Sequence, residues 1–121
     1  LFDQWKRRLV AAAFSRVSRG ERVAVWDFSL IGDLTSERIP ERGDTKTRLN
    51  WYWEAGHFKK ALGDRVLTRI LGGPDTGFGA KLDESNVESM LAMDRNALSR
   101  LKAEDADLVA EVDRVLVATA R

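Results

Sequence analysis

The chain of 121 residues is 44% hydrophobic and 32% charged, with a net charge of +1, which suits one globular domain and gives no reason to expect nucleic acid or an anionic membrane as partner. It has no cysteine and one histidine, which excludes disulfides and thiol catalysis, leaves the redox compartment open and argues against a zinc site. No apolar run reaches the length of a membrane span, no signal-peptide pattern precedes the first predicted helix, and no motif points to a cofactor. The start at Leu1 reads as a processing site or as the edge of a longer polypeptide.

Residues 1–18 predict an amphipathic helix with Phe2, Trp5, Leu9, Ala12, Ala13 and Val17 on one side, ended by Ser18-Arg19-Gly20-Glu21. The cluster Lys6-Arg7-Arg8 is read as solvated surface opposite that apolar side. Residues 23–28, Val-Ala-Val-Trp-Asp-Phe, form the one clear strand, so continuously apolar that burial on both faces of a parallel sheet is predicted. A single buried strand leaves its backbone donors and acceptors unpaired. A neighbour for strand 23–28 must therefore come from a missing amino-terminal segment or from a second chain, as in a homo-oligomer. Asp27, near the strand's carboxyl end, is either a second catalytic acid, since such ends host the sites of open α/β folds, or a turn-forming aspartate.

From Ser29 to Asn50 periodicity is lost, and Gly32, Pro40 and Gly43 stand among many charges, the pattern of a long functional or mobile loop. It runs into Trp51-Tyr52-Trp53-Glu54-Ala55-Gly56-His57-Phe58. Trp51 and Tyr52 are read as packing and anchoring residues, and Trp53 as the substrate-binding aromatic of a cleft. A helical period follows at Phe58, Ala61, Leu62, Val66, Ile70 and Leu71, stopped by Gly72-Gly73-Pro74. His57 thus lies at or just before a helix start, three residues after Glu54. A carboxylate at that spacing can fix the imidazole tautomer and stabilise the imidazolium, the orienting role in a nucleophile–base–acid triad. The bland reading of the same residues is a capping or aromatic-packed histidine beside a solvated carboxylate.

Residues 73–83 are a turn-rich linker whose glycines form no phosphate loop, since no Lys-Ser/Thr pair follows them. Residues 84–121 are a helical tail: Leu82-Asp83-Glu84-Ser85-Asn86 reads as a helix start, with acidic residues at the positive end. An apolar stripe follows at Val87, Met90, Leu91, Leu98, Leu101, Leu108, Val109, Val112, Val115 and Leu116, with a break near Ala103-Glu104-Asp105.

The run from Glu54 through His57-Phe58 to Gly63-Asp64, followed by Leu67, Ile70, Leu71 and Gly72, resembles the carboxyl-terminal block of SGNH (GDSL-like) hydrolases of exported bacterial type. Strand 23–28 resembles the last core strand before that block. The resemblance covers residues 1–72. It implies the helix-rich carboxyl-terminal part of a three-layer αβα domain, with His57 as general base and Glu54 where the family usually has an aspartate. It also implies a periplasmic or cell-envelope setting and a substrate bearing ester or acetyl groups. The family's nucleophilic Gly-Asp-Ser turn and its oxyanion-hole glycine and asparagine blocks have no counterpart here, since Gly32-Asp33 is followed by Leu34. A base without nucleophile or oxyanion hole lacks most of the rate, so the chain alone is expected to be inactive. The alternative is a non-catalytic helical interaction module.

Overall fold

The computed structural model of the chain describes residues 1–38, 40, 43–54 and 56–110. Its elements are α1 (Phe2–Val17), β1 (Val25–Asp27), β2 (Tyr52–Glu54), β3 (His57–Phe58), α2 (Lys60–Ile70), β4 (Ala80–Leu82) and α3 (Val87–Glu104). A further helical stretch covers 106–110. The chain is therefore mixed α/β. The part of the apolar tail stripe beyond residue 110, Val112, Val115 and Leu116, lies outside the described residues.

Glycine and aspartate punctuate the helices. After α1, Gly20 takes φ +86, which lets the Glu21 N–H return to the Arg16 carbonyl at 3.1 Å. After α2, Gly72 takes φ +79, and the Gly73 N–H reaches the Thr68 carbonyl at 2.8 Å. Both closures satisfy carbonyls that a helix end leaves without partners. Asp105 leaves the helical region (φ −127, ψ 78) and accepts the Leu108 N–H at 2.9 Å through Oδ1. One residue thus ends α3 and caps the next helix, which is the physical basis of the predicted break.

The sheets depart from the expectation of one parallel strand. β1 pairs antiparallel with β4 in the register Val25↔Leu82, Trp26↔Lys81, Asp27↔Ala80, and β2 pairs antiparallel with β3. Residues 80–82, at the end of the stretch read as a linker, supply the partner that β1 needs for its backbone groups. Three alternating residues fall below the length at which a strand pattern shows in sequence.

The core is Val10 of α1, Val25 of β1, Leu82 of β4, and Val87 and Leu91 of α3, with Ala13, Ala80 and Met90 packed against it. Helix α1 turns an unexpected face to this core. Lys6 and Val10 are its buried residues, whereas Phe2, Trp5 and Leu9 are exposed. The reading of Lys6 as solvated surface is corrected: Lys6 is 3% exposed, and its ammonium lies 2.6 Å from Asp27 and 3.8 Å from Asp94. Arg8 does lie on the surface. Arg7 pairs with Glu88 through two nitrogens, Nη2 to Oε2 at 2.9 Å, and Arg95 pairs with Asp3. α1 and α3 are thus joined by ion pairs on the flanks of a buried ionic contact, and these contacts select the face of α1 that turns inward.

Helix α2 buries Leu62 and is tied to its surroundings through two arginines, of which Arg69 reaches β1. Arg65 donates to the Thr76 carbonyl at 3.1 Å and lies over Trp51, while Arg69 lies over Trp26. Cation–π contacts of this kind contribute about 0.5–2 kcal/mol each.

Candidate functional site: an exposed histidine–carboxylate hairpin

The site grows from the long loop. Residues 29–50 contain no helix or strand among those described, yet the loop is closed by side chains. Glu37 accepts the backbone N–H groups of Asn50 and Trp51, the latter at 2.9 Å. Burial works against the Glu37 anion, but the N–H groups of Trp51, Asn50 and Tyr52 outweigh it and hold the carboxyl below its ordinary range. Asp44 ties a second turn by accepting the Lys46 and Thr47 N–H groups at 2.8 and 3.0 Å. Trp51 is then fixed on three sides: its N–H by Glu37, its carbonyl by the Lys59 N–H at 2.7 Å, and its ring by Arg65. This is the anchoring role read from sequence. Tyr52 is half-buried beside it, and burial, with the Glu37 charge, raises its phenol above the usual range.

That anchorage presents the β2/β3 hairpin, with Tyr52 opposite Phe58, Glu54 opposite His57 and a bulge between the two pairs. The register brings the Glu54 and His57 side chains together: Glu54 Oε1 is hydrogen-bonded to His57 Nδ1, while Oε2 accepts the Gly56 N–H at 2.9 Å. A carboxylate can only accept, so Nδ1 carries the hydrogen and the neutral ring keeps its lone pair on Nε2. The His57 contact, then the Gly56 N–H, hold the Glu54 carboxyl below its ordinary range against a small opposing effect of burial. The His57 side chain is 81% exposed, and it stands in β3 ahead of α2.

Trp53 is 67% exposed, with the Lys59 ammonium 4.8 Å from its ring centroid. Together with Glu54, Tyr52, Arg48 and Lys59 it lines an open cleft of about 700 Å³ between the hairpin and the loop. Glu54 connects the two features, with one face on the cleft and its carboxylate on His57. The cleft beside Trp53 is the one read from sequence, whereas the cation over its ring was not visible there. The signal was the spacing of Lys59 from Trp53, which has meaning only once the hairpin folds the chain back.

Asp27 is placed apart from this hairpin. On β1, its carboxylate meets Lys6 at 2.6 Å and accepts the Ser29 N–H and Oγ–H at 2.9 and 2.7 Å. Burial opposes the Asp27 anion, but Lys6 and the two Ser29 donors prevail and hold it below the ordinary carboxylate range. Its partners are thus those of a structural ion pair, at the junction of α1, β1 and α3.

Among the described residues, no group of three or more His, Asp or Glu side chains could hold a metal ion, and no helix is long and apolar enough to cross a membrane. Fold and site together define a small mixed α/β chain that displays an oriented imidazole on an exposed hairpin beside an aromatic cleft. No family model, no curated protein and no solved structure matches the chain.

Proposed function

We propose that this chain supplies the histidine–acid end of an SGNH-like serine hydrolase or acyl-transfer site acting on ester or acetyl groups. The observation that carries the reading is the Glu54–His57 contact, which fixes the tautomer a general base requires and leaves Nε2 turned away from its carboxylate. A serine from a missing amino-terminal segment or a second chain attacks the acyl carbon through Oγ, and His57 Nε2 takes the hydroxyl proton. As the bond to the alcohol breaks, His57 returns that proton to the leaving oxygen. Water, deprotonated in turn by His57, then attacks the acyl carbon, the bond to the serine Oγ breaks, and His57 returns the proton to Oγ as the free acid leaves. Trp53 contributes a flat apolar surface to the cleft that Glu54 also lines.

Two surfaces support a completing segment. Phe2, Trp5 and Leu9 form an exposed apolar stripe on α1, and among the described residues β1 belongs to a sheet of two strands. Strands added beside β1 would extend the sheet toward a three-layer αβα domain and cover that stripe. A periplasmic or envelope location follows from the resemblance alone. The same stripe supports the second reading, a non-catalytic module that uses α1 to bind another polypeptide.

The test is hydrolysis of p-nitrophenyl acetate by the assembly as it occurs in its source. His57→Ala should lower kcat by roughly 10³-fold or more with the fold intact, and Glu54→Gln by a smaller factor. Undiminished hydrolysis by the folded His57→Ala assembly refutes the assignment. An assembly that holds a partner on α1 but has no hydrolysis to lose selects the second reading.

A further inference from the structure

A second cleft, of about 510 Å³, lies away from the hairpin between α3, the loop after β1 and the glycine-rich turn before β4. One face of α3 forms its floor. Met90, Met93, Ala97 and Arg100 recur at helical spacing along it, and Leu30 and Ile31 close it from above. The floor carries Met90, Met93 and Ala97 with the Asp94 carboxylate among them, and becomes cationic at Arg100. Asn96, one turn before Arg100, lines the same end. Among the described residues, neither the Arg100 guanidinium nor the Asn96 amide has an ion-pair or hydrogen-bond partner.

Among the described residues that line the cleft, Asp94 is the one acid, and it is already engaged. Its Oδ1 accepts the Ile31 N–H at 2.7 Å, and its Oδ2 lies 3.8 Å from the buried Lys6 ammonium. Asp94 therefore ties the Ile31 wall to α3, and its remaining negative charge disfavours a dianion in the cleft while a single carboxylate can pair with Arg100. Met93 and Arg100 are separated by roughly 10 Å along the helix at 1.5 Å per residue, the span of a medium-length aliphatic chain. Thioether side chains adapt to such chains readily.

We propose that this cleft binds an amphipathic monocarboxylate, a medium-chain acyl carboxylate laid along α3 with its tail over Met90, Met93 and Ala97 and its head on Arg100 and Asn96. The site is independent of the acyl-transfer reading, since it uses none of the hairpin residues.

The experiment is a titration of the isotope-labelled chain, within whatever assembly it occupies, with sodium octanoate, octanol and octyl phosphate. Amide shifts of Ile31 and Ala97 locate the binding, and calorimetry gives the affinities. Octanoate should bind at least about threefold tighter than octanol, the margin a partly exposed charge-assisted pair provides. Arg100→Gln should erase that margin, Arg100→Lys should keep part of it, and Ala97→Trp should block all three probes by filling the floor. Both Arg100 variants alter an exposed helix position, so the fold is retained. Equal affinity for octanol and octanoate, an unchanged preference in Arg100→Gln, or no saturable binding of octanoate overturns the proposal. Tighter binding of octyl phosphate overturns the monocarboxylate assignment.

Discussion

The Lys6 ammonium and the Asp27 carboxylate meet at 2.6 Å, with side chains only 3% and 6% exposed. The contact is ionic, without the alignment of a well-directed hydrogen bond. Two charges removed from water gain from each other about what desolvation costs them, so the pair's net contribution is small while the cost of breaking it is large. Asp27→Ala or Lys6→Ala should each destabilise the fold by about 3–5 kcal/mol. The double variant Lys6→Met with Asp27→Leu should recover most of the loss. Urea unfolding of the three variants reads this directly, and single variants that unfold like the parent would contradict the burial of the pair.

Acid should weaken the same junction. The native Asp27 carboxyl is held below its ordinary value, so the unfolded chain takes up a proton first as pH falls. The stabilisation is full above the unfolded value of about 3.9 and disappears as pH falls through the lower native value. Midpoints of thermal unfolding measured down the acid limb should therefore fall more steeply for the parent than for Asp27→Asn.

At the hairpin, Glu54 is held below the usual carboxylate range first by His57 and then by the Gly56 N–H. His57→Ala should raise the Glu54 titration midpoint without returning it to the free value, because the Gly56 donor remains. A side-chain carboxyl titration by NMR checks the direction. An unmoved midpoint would mean that the two side chains do not share a proton in solution.

Two glycines separate strain from collision. Gly72 and Gly79 both take positive φ, +79 and +76, but a Cβ at Gly72 meets open space while one at Gly79 runs into the Phe28 ring. Gly72→Ala should cost about 1 kcal/mol, the backbone effect alone. Gly79→Ala should cost about 2–4 kcal/mol, since overpacking adds to it. Thermal unfolding of both variants, with Phe28→Leu as background, should show the Gly79 penalty shrink in that background and the Gly72 penalty stay the same.

What the sequence alone determined is local. A period of 3.6 and the glycines after each helix set the extents of α1 and α2, Asp105 marked the end of α3, and three residues of separation placed Glu54 within reach of His57. Each of these rests on neighbours in the chain, whose geometry the backbone dictates. Tertiary structure decided the rest, because it turned on partners distant in sequence. Helix α1 carries an apolar stripe at Phe2, Trp5 and Leu9 and a second line at Lys6, Val10 and Ala13. Hydrophobic pattern alone favours the first, while Asp27 and Asp94 on other elements drew the second inward. β1 likewise found its partner in Ala80–Leu82, a segment too short to announce itself as a strand before it paired.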